Sequence, residues 1–352
     1  MKFPAFASMV LAAALMTGGC GLLKDKTYTP TQAEKKLAAF CLKEGKLTVV
    51  THRVGRTLWI YAPLEEALFE IKASHDTDKP DREVQPLSLL ALVAEYSQKY
   101  FKFSYDVVPD VLSGEPTTYR TGYNETYTKK RQLIYQGLQE SFFNAKTSTH
   151  DLMPEFVVIM VADTSKGIST KSVLYLKDLR QYITEAIPPD EYYMREYNEI
   201  IGKEDLIHDT KGVNVPYAEV TWTYFLTQQI KTRIKYAFSE NSKSGSRDDD
   251  DDATDSPAKK DPSAILAKAA ANTLRLYPFG DYDGVVLYDL RAKKELALKK
   301  EDLKKFAEKA TWEETQSRLT TIHFEVPKDP SSGLGAITTT PSSDKKLNAA
   351  AP

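Results

Sequence analysis

"EFVVIMVADTSKGISTKSVLYLKDLRQYI", Glu155–Ile183, decides the fold class. Its first run is rich in Val, Ile and Met, which suits the interior of a sheet. A polar "TSKG" then marks a turn. A second apolar run follows, and a helical stripe carrying Leu179 closes the stretch. Two other stretches read the same way: "KLTVVTHRVGRTLWIYAPLEEALFEI" (Lys46–Ile71) and "DGVVLYDLRAKKELALKKEDLKKFA" (Asp283–Ala307). The expected hairpins at 46–62, 155–175 and 283–298 are antiparallel, each preceded and followed by a helix. The class is therefore α+β, antiparallel hairpins covered by helices, in three degenerate α-β-β-α units.

The remaining elements are read outward from these three. Thr31 and Glu34 make a capping box, so a helix starts there and ends near Gly45. Cys41 falls on its apolar stripe with Leu37 and Phe40, which predicts a buried thiol. Helices are expected over 64–73, 87–103, 127–145 and the "DEYYMREYNEII" segment, Asp190–Ile201. Residues 103–108 could extend as a strand, while 109–126 has the Pro and Gly content of a loop. The clearest amphipathic helix spans 218–238, with Trp222, Phe225, Leu226, Ile230 and Ile234 at helical spacing. "SRLTTIHFEV", Ser317–Val326, closes with one more strand.

Composition sets the domain plan. The main α+β domain is expected over 31–238 and a small α+β module docked on it over 263–326. Between them, 239–262 is acidic and of low complexity, and 327–352 is Pro-, Ser-, Thr- and Ala-rich. Such segments bury too little apolar surface to offset the entropy of ordering. The chain has 352 residues and a formal net charge of -2, so nothing pulls it as a whole towards nucleic acid. It has two cysteines, Cys20 and Cys41, which excludes a disulfide framework if the first is modified.

The N-terminus carries an address. Phe3–Met16 is almost wholly apolar, yet shorter than the roughly 20 residues of a membrane-spanning helix. It has the length of a signal-peptide core, giving a signal at 1–19 and a tether at 20–30. The small residues Thr17, Gly18 and Gly19 then lead into Cys20. This stretch resembles the lipobox of bacterial lipoproteins. The resemblance implies that Cys20 takes a diacylglycerol and becomes the first residue after cleavage. Gly21, in place of the aspartate that retains such proteins in the inner membrane, implies the periplasmic face of an outer membrane in a Gram-negative cell. The implied partners are the membrane, through the lipid, and an envelope protein or cell-wall material.

Catalytic motifs are sparse. His75, His150 and His208 each precede an aspartate, but none has a second histidine at ligand spacing. Asp248–Asp252 lacks the glycine and closing glutamate of an EF-hand loop, and "GDYDG" (Gly280–Gly284) reads as a turn feeding a strand. No P-loop, G-x-S-x-G, H-E-x-x-H or C-x-x-C occurs. No catalytic set, metal site or cofactor is assigned, and the leading expectation is a binding or scaffolding lipoprotein. The alternatives are an anchored hydrolase, drawing acid and base from Asp163, Asp178, His150 and His208, and a solute-binding lipoprotein.

Overall fold

The computed structural model describes residues 27–28, 30–73, 84–112, 119–143, 146–147, 153–241 and 261–307. In chain order the elements are α1 (Pro30–Gly45), β1 (Val50–Val54), β2 (Thr57–Leu64), β3 (Phe69–Ala73), β4 (Val84–Ser97), β5 (Tyr100–Leu112), β6 (Tyr119–Tyr123) and α2 (Glu125–Leu138). There follow β7 (Phe156–Asp163), β8 (Ile168–Tyr175), α3 (Leu176–Ile183), α4 (Pro189–Met194), β9 (Tyr197–Gly202) and α5 (Trp222–Asn241). The last are α6 (Pro262–Leu276), β10 (Gly284–Asp289), β11 (Lys294–Lys299) and α7 (Lys300–Ala307). A five-stranded sheet has the order β9-β8-β7-β2-β1 and a four-stranded sheet the order β11-β10-β5-β4. The chain is α+β, as its sequence implies.

The central strands of the first sheet are buried on both faces, which is why they read as unbroken apolar runs. Leu58, Ile60, Val157 and Ile159 pack with Leu37, Cys41, Ile134 and Leu179 of α1–α3. Trp59, Tyr61, Phe156 and Val158 face the other way, into a core shared with α5, α6 and the second sheet. An aromatic chain crosses that core: Phe156 to Trp222 (5.0 Å), Trp222 to Phe279 (6.5 Å) and Phe279 to Phe101 (6.4 Å). The fully buried members, Phe156 and Phe101, contribute about 1.5–3 kcal/mol each.

The two sheets are copies of one plan. Each is a hairpin (β1–β2, β4–β5) joined through a parallel inner pair to a second hairpin (β7–β8, β10–β11). The register is the same: Thr57, just after the first turn, faces Phe156, and Tyr100 faces Gly284. The Glu155 and Asp283 amides donate to the Arg56 and Lys99 carbonyls, both at 2.7 Å. The Leu176 and Lys300 amides donate to the Glu155 and Asp283 carbonyls, both at 2.9 Å. An eight-residue helix follows each second hairpin without a loop and buries a leucine at its fourth position, Leu179 or Leu303. α5 lies against β4 and α6 as α1 lies against β1 and α2, although it follows its hairpin in the chain.

The three expected hairpins are antiparallel. They do not form three units, because the first two share one sheet and the third completes the second sheet with β4–β5. Residues 87–103, expected to be helical, form most of that missing hairpin. The cause is a β-bulge at Leu90, between Leu89 and Ala91. It makes the core-facing set Leu87, Leu89, Leu92, Ala94 and Tyr96, and an extra residue inside an alternating pattern imitates helical spacing. Residues 64–73 were also expected to be helical. They end in strand β3, which pairs with β6 of the segment expected to be loop. Leu64 and Leu68 are both buried, four residues apart, and so counterfeit a helix face. In Asp190–Ile201 the helix stops at Met194, and Tyr197–Gly202 pairs with β8 instead.

The amphipathic helix is present as α5, with Phe225, Leu226, Ile230 and Ile234 buried, and Cys41 is buried. Residues 262–307 join the body through the shared sheet. Of the expected tether, Thr27–Tyr28 form a short strand parallel to Lys146–Thr147. The signal, the tether around Cys20, His75, His150, Asp248–Asp252, the strand expected at 317–326 and the tail lie outside the described residues.

Candidate functional site

Asp163 and Asp178, the two carboxylates read as hydrolase candidates, sit at opposite ends of the β7–β8 hairpin. At about 3.4 Å per residue, eight-residue strands separate them by about 24 Å. Asp163 organises a turn: its Oδ1 accepts from the amides of Ser165 (2.9 Å) and Lys166 (3.2 Å). His208 is exposed, in left-handed backbone (φ 61°), and its amide donates to the Thr164 carbonyl at 2.8 Å. His208 therefore lies by the Asp163 turn and remote from Asp178.

Asp178 belongs to a buried ion cluster. It accepts from Arg195 Nη1 and from the Tyr277 hydroxyl, each at 2.9 Å. Arg195 Nε also donates to Glu191 at 2.6 Å, and Arg233 donates to the same oxygen at 2.7 Å. The next residue, Glu196, pairs with Arg131 and accepts from the Tyr135 hydroxyl at 3.0 Å. Burial pushes the Asp178 carboxyl above its ordinary range, against the pull of Arg195. Three guanidinium groups thus meet three carboxylates, and the cluster ties α2, α3, α4, α5 and the end of α6 together. Its chemistry is that of a balanced structural latch.

The site that sequence reading missed is the irregular segment Lys203–Thr221, which follows β9. It has little regular structure, yet side chains staple it along its length. The Asp209 carboxylate accepts from the amides of Lys211 (3.2 Å), Val213 (3.1 Å) and Asn214 (2.9 Å). Burial opposes its charge, but these backbone N–H groups outweigh burial and hold the carboxyl below its ordinary range. The buried Tyr61 hydroxyl donates to the Asp209 carbonyl at 2.5 Å. The Trp59 indole donates to the Ala218 carbonyl at 2.7 Å, and the Val220 amide to Thr57 Oγ1 at 2.8 Å. Asn214 Nδ2 closes the loop on the Asp205 carbonyl at 2.8 Å. Gly212 is required: at φ 69° a Cβ would stand 2.4 Å from the Tyr217 hydroxyl.

This scaffold presents apolar groups to solvent. Val213 is 77% exposed and Ile207 38%, while Leu206, Val215 and Val220 between and beside them are buried. Ile200, on the preceding edge strand β9, is also exposed. The histidine-aspartate pair at 208–209 divides by environment. His208 is exposed to solvent, whereas Asp209 is buried. The signal available in the sequence was turn chemistry, an aspartate followed by Gly212 and Pro216 in "DTKGVNVP".

Among the described residues, no group of three or more His, Cys, Asp or Glu could hold a metal ion. Among them, too, no helix is long and apolar enough to cross a membrane. Comparison with known protein families, curated proteins and solved structures finds no match.

Proposed function

We propose that the chain is a lipid-anchored cell-envelope protein that acts by binding, with Lys203–Thr221 as its presenting surface. Cys20 carries the lipid, on the periplasmic face of the outer membrane in a Gram-negative cell. Within the 20–30 tether, Thr27–Tyr28 already pair with Lys146–Thr147, so only residues 21–26 bridge to the lipid; they span at most about 20 Å when extended, and the body stays close to the bilayer. The partner is an envelope protein or cell-wall material.

One observation carries the binding reading. Val213 is 77% exposed, yet its own amide is bonded to the buried carboxylate of Asp209. An apolar side chain held in water on an ordered backbone loses little entropy when a partner covers it. A photo-crosslinking residue at 213 in intact envelopes should trap one defined partner, and the same residue at Lys268, on α6, should not. Val213→Asp should abolish a partner's co-purification without lowering the melting temperature. Equal crosslinking from both positions, or unchanged co-purification, would refute this use of the loop.

A further inference from the structure

The duplicated plan has one unmatched place. In the first sheet, α3 is followed by thirteen residues (184–196) and then by β9, which runs antiparallel along the outer edge of β8. In the second sheet, α7 stands where α3 stands and β11 where β8 stands. Among the described residues, no strand lies on the outer edge of β11. We infer that this edge is a strand-docking surface and that its occupant is the chain's own segment Ser317–Val326, in the place that β9 takes in the first sheet.

The equivalence rests on matched details. Asp163 and Asp289 each start the second turn and accept the amides two and three residues on. Gly167 and Lys293, four residues after those aspartates, both have positive φ, 67° and 54°. "LKDLRQYI" in α3 and "KEDLKKFA" in α7 share Asp-Leu at the third and fourth positions. The strands of the second hairpin are two residues shorter in the second unit.

Reach and composition fit the segment. Nine residues (308–316) separate α7 from Ser317, and at ~3.3 Å each they extend about 30 Å. The six-residue β11 is about 20 Å long. "SRLTTIHFEV" alternates, with Thr320, Ile322, Phe324 and Val326 on one face and Thr321, His323 and Glu325 on the other. The first face suits the side of β11 where Leu296 and Leu298 meet the core. On the other side Glu295 has a buried carboxylate oxygen without a hydrogen-bond partner among the described residues, and the segment brings Thr321 and His323 as donors on that face. Leaving that edge open would also present β11 as a template for pairing with other chains.

Hydrogen exchange read by mass spectrometry on the purified full chain tests this. Amides of 317–326 should exchange at least ~10-fold more slowly than free chain, as paired strands do. A chain ending at Gln316 should exchange faster at β11 while β9 and β1 stay unchanged. Phe324→Asp should mimic that deletion, and Glu325→Lys should not. Free-chain exchange over 317–326 would overturn the inference. So would a protected segment whose deletion leaves β11 unchanged, because it would then dock elsewhere.

Discussion

Asp163 and Asp289, 126 positions apart, do the same work in two different sheets. Asp163 Oδ1 accepts from the amides of Ser165 and Lys166 at 2.9 and 3.2 Å, and Asp289 Oδ1 from those of Arg291 and Ala292 at 2.8 Å each. A carboxylate that recurs in a turn of an internal copy is explained by the turn. Asp163→Ala and Asp289→Ala should each cost about 1 kcal/mol in urea unfolding, the scale of a lost side-chain cap. Asn at either position should recover most of that. A stability loss of either alanine variant beyond about 3 kcal/mol, or none at all, would contradict the shared role.

The stapled loop should open in acid. The carboxyl of Asp209 is held below the ordinary value of 3.8 when folded, so its contribution is complete above that value. It is lost as pH falls below 3.8 towards the depressed folded value. Trp59 reports the loop, since its indole donates to the Ala218 carbonyl. Its fluorescence should shift in that acid window before global unfolding, and Asp209→Ala should show the shift at neutral pH. A wild-type loop transition centred well above pH 4 would point to another group.

Arg195 is the centre of the latch, bonded to both Asp178 and Glu191. Arg195→Met leaves the buried Asp178 carboxylate without a cationic partner, while Glu191 keeps Arg233, and should cost about 3–5 kcal/mol at pH 7. Adding Asp178→Asn should return part of that loss. The raised Asp178 carboxyl gives the sign with pH. Acidification below neutrality should narrow the gap between Arg195→Met and wild type, because Asp178 then takes up a proton. A gap that widens in acid would refute this.

Legibility followed the range of the interactions. Hairpins β7–β8 and β10–β11 were readable because their strands and turns are contiguous in the chain. Cys41 was readable from its neighbours Leu37 and Phe40, and burial pushes its thiol up to about 11. Hairpin β4–β5 was not, because the bulge at Leu90 converts alternation into helix-like spacing. The duplication was visible only in part, since its second unit draws β4–β5 and β10–β11 from places about 180 residues apart and puts α5 after its hairpin. The stapled loop was hidden because Asp209 is held through Tyr61, 148 positions away. No local pattern separates such an aspartate from one left in water.

The anchored-binder account depends first on Cys20. The most direct measurement is the mass of the N-terminal peptide of the protein extracted from cell envelopes. The account predicts a chain that starts at Cys20, with a diacylglycerol on its sulfur, and a Cys20→Ser protein that no longer matures to this form. A wild-type chain that retains residues 1–19, or one whose Cys20 thiol is free, would contradict it.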